Sequence, residues 1–248
     1  MIPRHSWRGY FKYSAKRWLR HAGLEVSRYV RFAAFEERLL AALQRLGVNL
    51  VIDVGANIGQ YARRLRATGY KGKIVSFEPL AAAHAELVEQ ASRDPDWKVA
   101  PRLALGERNG EIELKVSANS VSSSTLAMLP AHIAAAPESA PCGIETVRVA
   151  KLDDALPPFF HEDEIALLKI DVQGAEDKVI AGAARTLQHV IALQAELSLV
   201  PLYEGQALMR DTVELLRSRG YELADMHPAF IDPRDGRVLQ LDGLFLRR

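Results

Sequence analysis

The sequence predicts a doubly wound α/β fold, in which helices cover both faces of a mostly parallel sheet. Three observations lead to this prediction. Short β-branched apolar runs alternate with stretches of helical spacing, and a Gly or Pro break separates each run from the stretch that follows. The chain ends in two strands joined by a tight turn, which predicts about seven sheet strands with an antiparallel last strand.

The elements of the first half follow from this alternation. The runs LVIDV at 50–54 and KIVSF at 73–77 are rich in β-branched and apolar residues and predict the first two strands. Helical spacing predicts helices over 58–68 and 80–92, the second rich in Ala, Glu and Leu. A third strand is predicted from 97 to 105.

The second half begins with a different pattern. Two alternating segments, 111–117 and 145–149, flank a Ser-rich and Ala/Pro-rich stretch, which predicts an inserted hairpin with a mobile loop. The parallel pattern then resumes with predicted strands at 165–172 and 190–197, and the last two predicted strands, at 221–226 and 244–247, form an antiparallel addition to it. The predicted helices lie at 175–187 and in a segment ending near Arg219, with Gly220 as the C-cap.

Charge is distributed unevenly along the chain. Residues 1–48 hold ten Lys or Arg and three Glu, so the remainder is net acidic. We therefore predict a basic, aromatic, helical extension at 1–48 and one folded domain at 49–248, a length that buries one substantial core. Because nucleic-acid binding needs Lys and Arg spread over a reading face, no nucleic-acid ligand is expected.

Cysteine content and apolar runs bear on the compartment. Cys142 is the only cysteine, which excludes an intrachain disulfide. The sequence lacks the roughly 18 to 20 uncharged apolar residues of a transmembrane helix. Residues 1–20 also lack the apolar run of a signal peptide. We predict a cytoplasmic protein.

The segment 1–30 interleaves basic with aromatic residues. Arrayed as a helix, it places Trp7, Tyr10, Phe11 and Trp18 on one side and many charges elsewhere. Two alternatives stay open for this face. It makes a peripheral contact with an anionic membrane surface, or it packs on the folded domain or on a second subunit of a homo-oligomer.

A glycine-rich turn follows the first strand. Asp53, Gly55, Asn57 and Gly59 stand where this strand breaks into a helix. Glycines let the backbone turn sharply and approach a ligand, and the helix N-terminus offers N–H groups to a carboxylate. The spacing G-x-x-x-G lacks the three-glycine dinucleotide fingerprint, which disfavours NAD(P). The alternative is a turn that needs glycine for geometry alone.

Residues at the ends of later strands complete a candidate site. Glu78 ends the second strand, where a carboxylate can accept both ribose hydroxyls of an adenosine ligand. Ala104 and Leu105 suit one face of an adenine ring, although such residues are also common in cores. Asp171 ends the central strand, at the edge where open α/β sheets bind ligands, so we expect it to face the reacting centre.

Several segments together resemble the FkbM-type methyltransferases. They include DVGANIGQYARRL at 53–65, VSFEPL at 75–80 and LLKIDVQGAEDKVIAGA at 167–183. The antiparallel end of the predicted sheet likewise resembles the methyltransferase version of the Rossmann-like fold. The chain departs from the family pattern at Gln173 and Lys178, which we expect to affect helix packing more than chemistry.

The resemblance implies S-adenosyl-L-methionine as cofactor and O-methylation of a small-molecule or glycan hydroxyl, on a carbohydrate, glycolipid or secondary metabolite. It implies that the residues of the glycine-rich turn shape the methionine end of the cofactor site and that Glu78 holds the ribose. The remaining cofactor contacts it implies are Ala104 and Leu105 at the adenine and Asp171 beside the sulfonium.

A hydroxyl is a poor nucleophile unless a base removes its proton. Asp171 and Glu196, at the ends of two strands, are the candidate catalytic residues, since a buried carboxylate with a raised pKa suits that role. The alternative for Glu196 is a cap or a loop hydrogen-bond acceptor. His227 could join them around a divalent metal, but no close-spaced ligand motif supports this, and we predict no metal.

Two other classes of function stay open. One is an NAD(P)-dependent oxidoreductase on a Rossmann sheet, disfavoured by the glycine spacing and by the antiparallel end of the sheet. The other is a non-catalytic protein that binds S-adenosylmethionine. The presence of both Asp171 and Glu196 argues against such a degenerate site.

Overall fold

The computed structural model describes residues 34–248 of the chain. Its strands are β1 (Leu50–Val54), β2 (Lys73–Phe77), β3 (Trp97–Val99), β4 (Ala104–Leu105), β5 (Gly110–Ser117), β6 (Pro141–Ala150), β7 (Ala166–Ile170), β8 (Val190–Ser198), β9 (Tyr221–Ile231) and β10 (Val238–Arg247). Its α-helices are α1 (Phe35–Arg45), α2 (Gln60–Thr68), α3 (Ala81–Ala91), α4 (Pro130–Ala135), α5 (Leu152–Ala155), α6 (Glu176–Ala181) and α7 (Met209–Ser218). The amphipathic segment predicted at 1–30 lies outside the described residues.

A seven-stranded sheet in the order β3-β2-β1-β7-β8-β10-β9 forms the centre of the molecule. Strands β3, β2, β1, β7 and β8 pair in parallel with their neighbours in this order. Strand β10 pairs antiparallel with both β8 and β9. The predicted doubly wound α/β fold with an antiparallel last strand is therefore confirmed. Strand order reverses between β1 and β7, the kind of position where open α/β sheets bind ligands.

The middle of the sheet is buried on both faces. Every residue of β1 is buried, and its register places Asp53 between Ser76 of β2 and Lys169 of β7. Ile52 and Val54 pack in the core cluster on one face, whereas Val51 packs in the cluster on the other. Each fully buried apolar side chain of this kind contributes roughly 1.5–3 kcal/mol to the free energy of unfolding.

Helix α1 packs on the second of these clusters. Its residues Phe35, Leu39 and Leu43 are buried there with Val51. Their spacing of four residues places them on one face of the helix. Residues 35–248 form one compact unit, so α1 belongs to the same unit as the sheet. The predicted division at 48/49 stays a prediction.

The third strand predicted at 97–105 is wrong in its extent. The segment forms two strands in different sheets, with β3 beside β2 and β4 beside β6. Pro101 lies between them, and because proline has no N–H to donate to a ladder, the chain leaves the first sheet there. The N–H of Ala100 makes the last bond to β2, at Ser76.

The predicted inserted hairpin forms a small second sheet. Strands β5 and β6 pair antiparallel from Gly110↔Val149 to Ser117↔Pro141, and β4 joins β6 in parallel. The stretch between them contains α4 and the serine-rich loop, residues 117–126. Leu114, Val147 and Val149 bury one face of this sheet.

Several element bounds differ from the sequence-based prediction. The helix predicted at 175–187 is α6 followed by a separate 3-10 turn at Thr186–Gln188. Gly182 follows the end of α6, and only glycine fits there because a Cβ would lie 2.0 Å from the carbonyl oxygen of Gly106. The last two strands are longer than predicted. Among residues 34–248, no helix is long and apolar enough to cross a membrane.

Candidate active site

Two adjoining cavities open at the carboxyl ends of the parallel strands. The glycine-turn cavity, about 250 Å³, is lined by Gly55, Glu78 and Leu105 among others. The carboxylate cavity, about 480 Å³, is lined by Glu196 and Asp242 among others. They share the wall residues Tyr61, Arg64, Val121, Lys169, Asp171 and Gln173.

The glycine-rich turn needs its glycines for close backbone approach. Gly55 has φ 76°, and a Cβ there would lie 1.8 Å from the carbonyl oxygen of Asp171. Gly59 has φ 83°, and its Cβ would lie 2.5 Å from the Trp97 ring. Positive φ and contact with neighbouring atoms together exclude larger residues. The turn therefore brings the ends of β1 and β7 together under the glycine-turn cavity.

Glu78 lies at the end of β2, only 4 % exposed. Its two carboxylate oxygens accept backbone N–H groups of Asn57 and Leu80, each at 2.8 Å. Burial raises the pKa of Glu78 to about 7, although both N–H bonds favour its ionised form. Each oxygen keeps one lone pair, so the carboxylate can still accept two hydroxyl donors from the cavity.

The far wall of the glycine-turn cavity is apolar. Ala104 and Leu105 of β4 are both buried and line it together with Leu103 and Leu114. Thr125 also lines this cavity, and its buried Oγ1 has no hydrogen-bond partner within the described part of the chain. An apolar wall with isolated hydrogen-bonding groups is typical of small-molecule sites.

Lys169 forms the floor between the two cavities. Its Nζ lies 3.2 Å from Asp171 Oδ2 and 3.4 Å from Asp53 Oδ1, and 5.2 Å from the centre of the Tyr61 ring. Burial lowers the pKa of Lys169, but the two carboxylates outweigh it and hold the pKa above its ordinary value. Burial raises the pKa of Asp53, and Lys169 opposes that rise. The lysine therefore keeps a cationic charge beneath Asp171.

Gln173 connects the two candidate catalytic carboxylates. Its Nε2 donates to Asp171 Oδ1 at 2.7 Å and to Glu196 Oε2 at 2.8 Å. Tyr203 Oη lies 2.9 Å from Gln173 Oε1 and 2.9 Å from the carbonyl oxygen of Ser122. Both amide hydrogens are thus used between the carboxylates. This differs from the expectation that Gln173 affects helix packing more than chemistry.

A row of ionisable side chains crosses three strands of the carboxylate cavity. Glu196 of β8 is paired in register with Asp242 of β10, which is paired with His227 of β9. Burial raises the pKa of Glu196 well above its ordinary value, and Asp171 adds to the rise. Burial also raises the pKa of Asp242. A carboxyl with a raised pKa is suited to taking up a proton near neutral pH.

The structure thus brings the sequence-predicted residues to two connected cavities. Gly55, Asn57, Glu78, Ala104, Leu105 and Asp171 line the glycine-turn cavity, and Glu196 lies with Asp171 in the carboxylate cavity. Asp53 and Gly59 line neither cavity but support the turn from beneath. Among residues 34–248, no group of three or more His, Cys, Asp or Glu is arranged to hold a metal ion.

Sequence reasoning missed Lys169, Gln173 and the pair Tyr61–Gln194. A lysine in a strand buried on both faces was a usable signal, because such a charge needs partners. No signal was available for Tyr61 and Gln194, which are 133 residues apart and joined by a hydrogen bond of 2.8 Å. Only the folded chain brings them together.

Comparison of the sequence with known protein families and known proteins identifies relatives of this chain. Residues 53–223 match the model of the methyltransferase FkbM domain. The 2-O-methyltransferase NoeI of Sinorhizobium fredii is 30% identical over 189 residues, which cover 74% of this chain and 76% of that protein. The residues that match the family model include the glycine-rich turn and both candidate catalytic carboxylates.

Two solved structures are similar at lower identity. The methyltransferase FkbM from Methylobacillus flagellatus is 16% identical with a TM-score of 0.47, covering 79% of this chain and 43% of that one, less than half its length. Aeropyrum pernix fibrillarin, solved with natively bound S-adenosyl-L-methionine, is 11% identical with a TM-score of 0.47, covering 84% of this chain and 74% of the other.

Proposed function

Because this chain belongs to the FkbM methyltransferase family, we propose that it transfers a methyl group from S-adenosylmethionine to a hydroxyl oxygen. The proposed acceptor is a carbohydrate, a glycolipid or a secondary metabolite. The observation that carries the proposal is the Asp171–Gln173–Glu196 bridge at the wall shared by the two cavities. The 2-O-methyltransferase activity of NoeI supports oxygen as the accepting atom.

The glycine-turn cavity fits the proposed cofactor in its chemistry. Glu78 offers two acceptor lone pairs to the ribose, the apolar wall of Ala104 and Leu105 suits adenine, and the unpartnered Thr125 Oγ1 offers a hydrogen bond. Asp53, Gly55, Asn57 and Gly59 shape the turn beside the proposed methionine end. S-adenosylmethionine supplies an electrophilic methyl group on a sulfonium.

In the proposed mechanism, the chain aligns the acceptor and removes its proton. Residues of the carboxylate cavity hold the acceptor hydroxyl in line with the methyl group, and such alignment is worth roughly 7–11 kcal/mol. Asp171 or Glu196 accepts the hydroxyl proton as the new bond forms. Lys169 and Gln173 hold the Asp171 carboxylate in place through bonds to its two oxygens.

The carboxylate cavity favours an acceptor that is not a polyanion. Glu36, Glu138 and Asp242 line it together with the two candidate catalytic carboxylates. Phosphates brought among these groups would be repelled, so a nucleic-acid acceptor is disfavoured. The ring of Phe35 stacks on that of His227 at 5.6 Å, which adds an apolar surface of the kind that packs against a sugar or an alicyclic ring.

Calorimetric titration of the purified chain tests the cofactor. We expect binding of S-adenosylhomocysteine and none of NAD⁺ or NADP⁺, and the opposite result would support the oxidoreductase alternative. Mass spectrometry of glycans and metabolites from cells with and without the gene tests turnover. We expect one species that is heavier by one methylene group only in cells with the gene. A protein that binds S-adenosylhomocysteine but changes no metabolite would support the non-catalytic alternative.

A further inference from the structure

Four charged side chains line the glycine-turn cavity, namely Arg64, Glu78, Lys169 and Asp171. Three of them have partners. Both oxygens of Glu78 accept backbone N–H groups, and Lys169 lies between Asp53 and Asp171 in ion-pair contact. Arg64 is exposed, and its side chain makes no hydrogen bond or ion pair with any described residue. A cationic guanidinium without a partner therefore lies at this cavity.

Arg64 stands at the junction of the two cavities, since it lines both of them. It follows Gln60 by one turn of α2, and Gln60 also lines the glycine-turn cavity. Residues four apart lie on the same face of a helix, so Gln60 and Arg64 share the face of α2 that borders this cavity.

The start of α2 adds a second feature that suits an anion. This helix has nine residues, no side-chain cap at Gly59 and no acidic residue in its first turn. An uncapped N-terminus leaves N–H groups and a partial positive charge available to a negatively charged ligand. The helix end and the guanidinium one turn later therefore favour the same kind of group.

We propose that Arg64 binds the α-carboxylate of the methionine end of S-adenosylmethionine. This inference rests on the proposed function. The methionine end carries one carboxylate, one ammonium and one sulfonium, so a site needs one free cation among acceptors. Lys169 cannot serve, because Asp53 and Asp171 already hold its ammonium group. Arg64 offers the planar pair of N–H donors that matches a carboxylate.

A competing assignment gives Arg64 to the acceptor, because it also lines the carboxylate cavity. The two assignments predict different losses. A carboxylate clamp affects ligands that carry the amino-acid moiety and leaves ligands without it unaffected. An acceptor contact affects the acceptor KM and leaves cofactor affinity unchanged.

The test compares two ligands by calorimetry, S-adenosylhomocysteine and 5′-methylthioadenosine, which lacks the amino-acid moiety. We expect Arg64→Met to weaken S-adenosylhomocysteine binding roughly 10- to 100-fold, the range for one charge-assisted contact. Binding of 5′-methylthioadenosine should stay within about twofold, because the contact is absent there. The S-adenosylhomocysteine affinity of Arg64→Lys should lie between those of the parent and Arg64→Met, since lysine keeps the charge and loses the paired donors.

Arg63→Met is the matched control, because Arg63 is, like Arg64, an exposed arginine of α2 but lines neither cavity. It should bind both ligands as the parent does. Equal losses for both ligands in Arg64→Met, or no loss for S-adenosylhomocysteine, would overturn the assignment. A parent chain that binds neither ligand would overturn the proposed function itself, which is a distinguishable result.

Discussion

The glycine-turn cavity and the carboxylate cavity share one wall but are built in different ways. The first is formed mainly by the turns that directly follow β1, β2 and β7, together with β4. The second is formed by α1, the serine-rich loop and side chains of β8, β9 and β10. The first is therefore built mainly from the ends of strands and the turns that follow them, whereas the second is built mainly from side chains of helices and of strands β8, β9 and β10.

The two cavities also differ in the state of their carboxylates. In the glycine-turn cavity, Glu78 is tied at both oxygens to backbone N–H groups. In the carboxylate cavity, Glu196 accepts side-chain amide donors from Gln173 and Gln240, and burial raises its pKa well above its ordinary value. Burial raises the pKa of Glu78 as well. The difference lies in the donors, because two backbone N–H groups fix Glu78 for binding, whereas side-chain amides leave Glu196 placed for proton transfer. The comparison predicts that variants in the two cavities affect different measured quantities.

The largest effect is expected at the shared wall. Asp171→Asn keeps the shape of the side chain and removes its charge, so we expect kcat to fall roughly 10²- to 10⁴-fold, far more than substrate or cofactor affinity changes. Asp177→Asn, on the exposed face of α6, is the control. A kcat within about twofold of the parent would make Asp171 structural and Glu196 the favoured base.

The next effect is confined to cofactor affinity. Glu78→Ala removes two proposed charge-assisted hydrogen bonds to ribose, each worth about 1.5–3 kcal/mol, so S-adenosylhomocysteine affinity should fall by at least roughly 100-fold. The variant also loses two backbone contacts of the turn, so its melting temperature is measured alongside. The 2′-deoxy analogue should lose less affinity than the parent ligand. Equal losses for both ligands would assign Glu78 to the turn alone.

A pH dependence of cofactor binding should accompany Glu78. Burial raises its pKa to about 7, and only the ionised carboxylate can accept both ribose hydroxyls. Affinity for S-adenosylhomocysteine should therefore be constant at higher pH and fall as pH drops through 7, by roughly tenfold at about pH 6. Calorimetry across this range measures it. A flat profile in the parent chain would mean that Glu78 is ionised throughout or does not contact the ligand.

The smallest effect is expected from Gln173→Met, which keeps the length of the side chain and removes both N–H donors. Hydrogen bonds to an ionised carboxylate favour ionisation, so their loss should raise the pKa of Glu196 further. The acidic limb of the kcat/KM profile should move to higher pH, with cofactor affinity unchanged. The exposed Gln188→Met serves as control. An unmoved limb with normal stability would remove Gln173 from the proposed mechanism.

The sequence predicts the residues of the glycine-turn cavity better than those of the carboxylate cavity. The fold and the glycine-turn residues were predictable, because a strand, its turn and the next helix are consecutive in the chain. Lys169 was predictable in principle from its place in a buried strand. Glu196 and His227 were candidates from the sequence, but their alignment through Asp242 was not predictable, because it depends on the register of β10 between β8 and β9. The sequence predicts one strand at 97–105, whereas the segment is divided at Pro101 into β3 and β4, which belong to different sheets.

The most direct test of the account is methyl transfer in vitro from S-adenosylmethionine labelled with deuterium in its methyl group. The purified chain is incubated with this cofactor and with an extract of cells that lack the gene. We expect that one species gains a deuterated methyl group on a hydroxyl oxygen, that S-adenosylhomocysteine forms in equal amount, and that Asp171→Asn loses most of both signals. Label on nitrogen or carbon, or no label on any species, would contradict the proposed function.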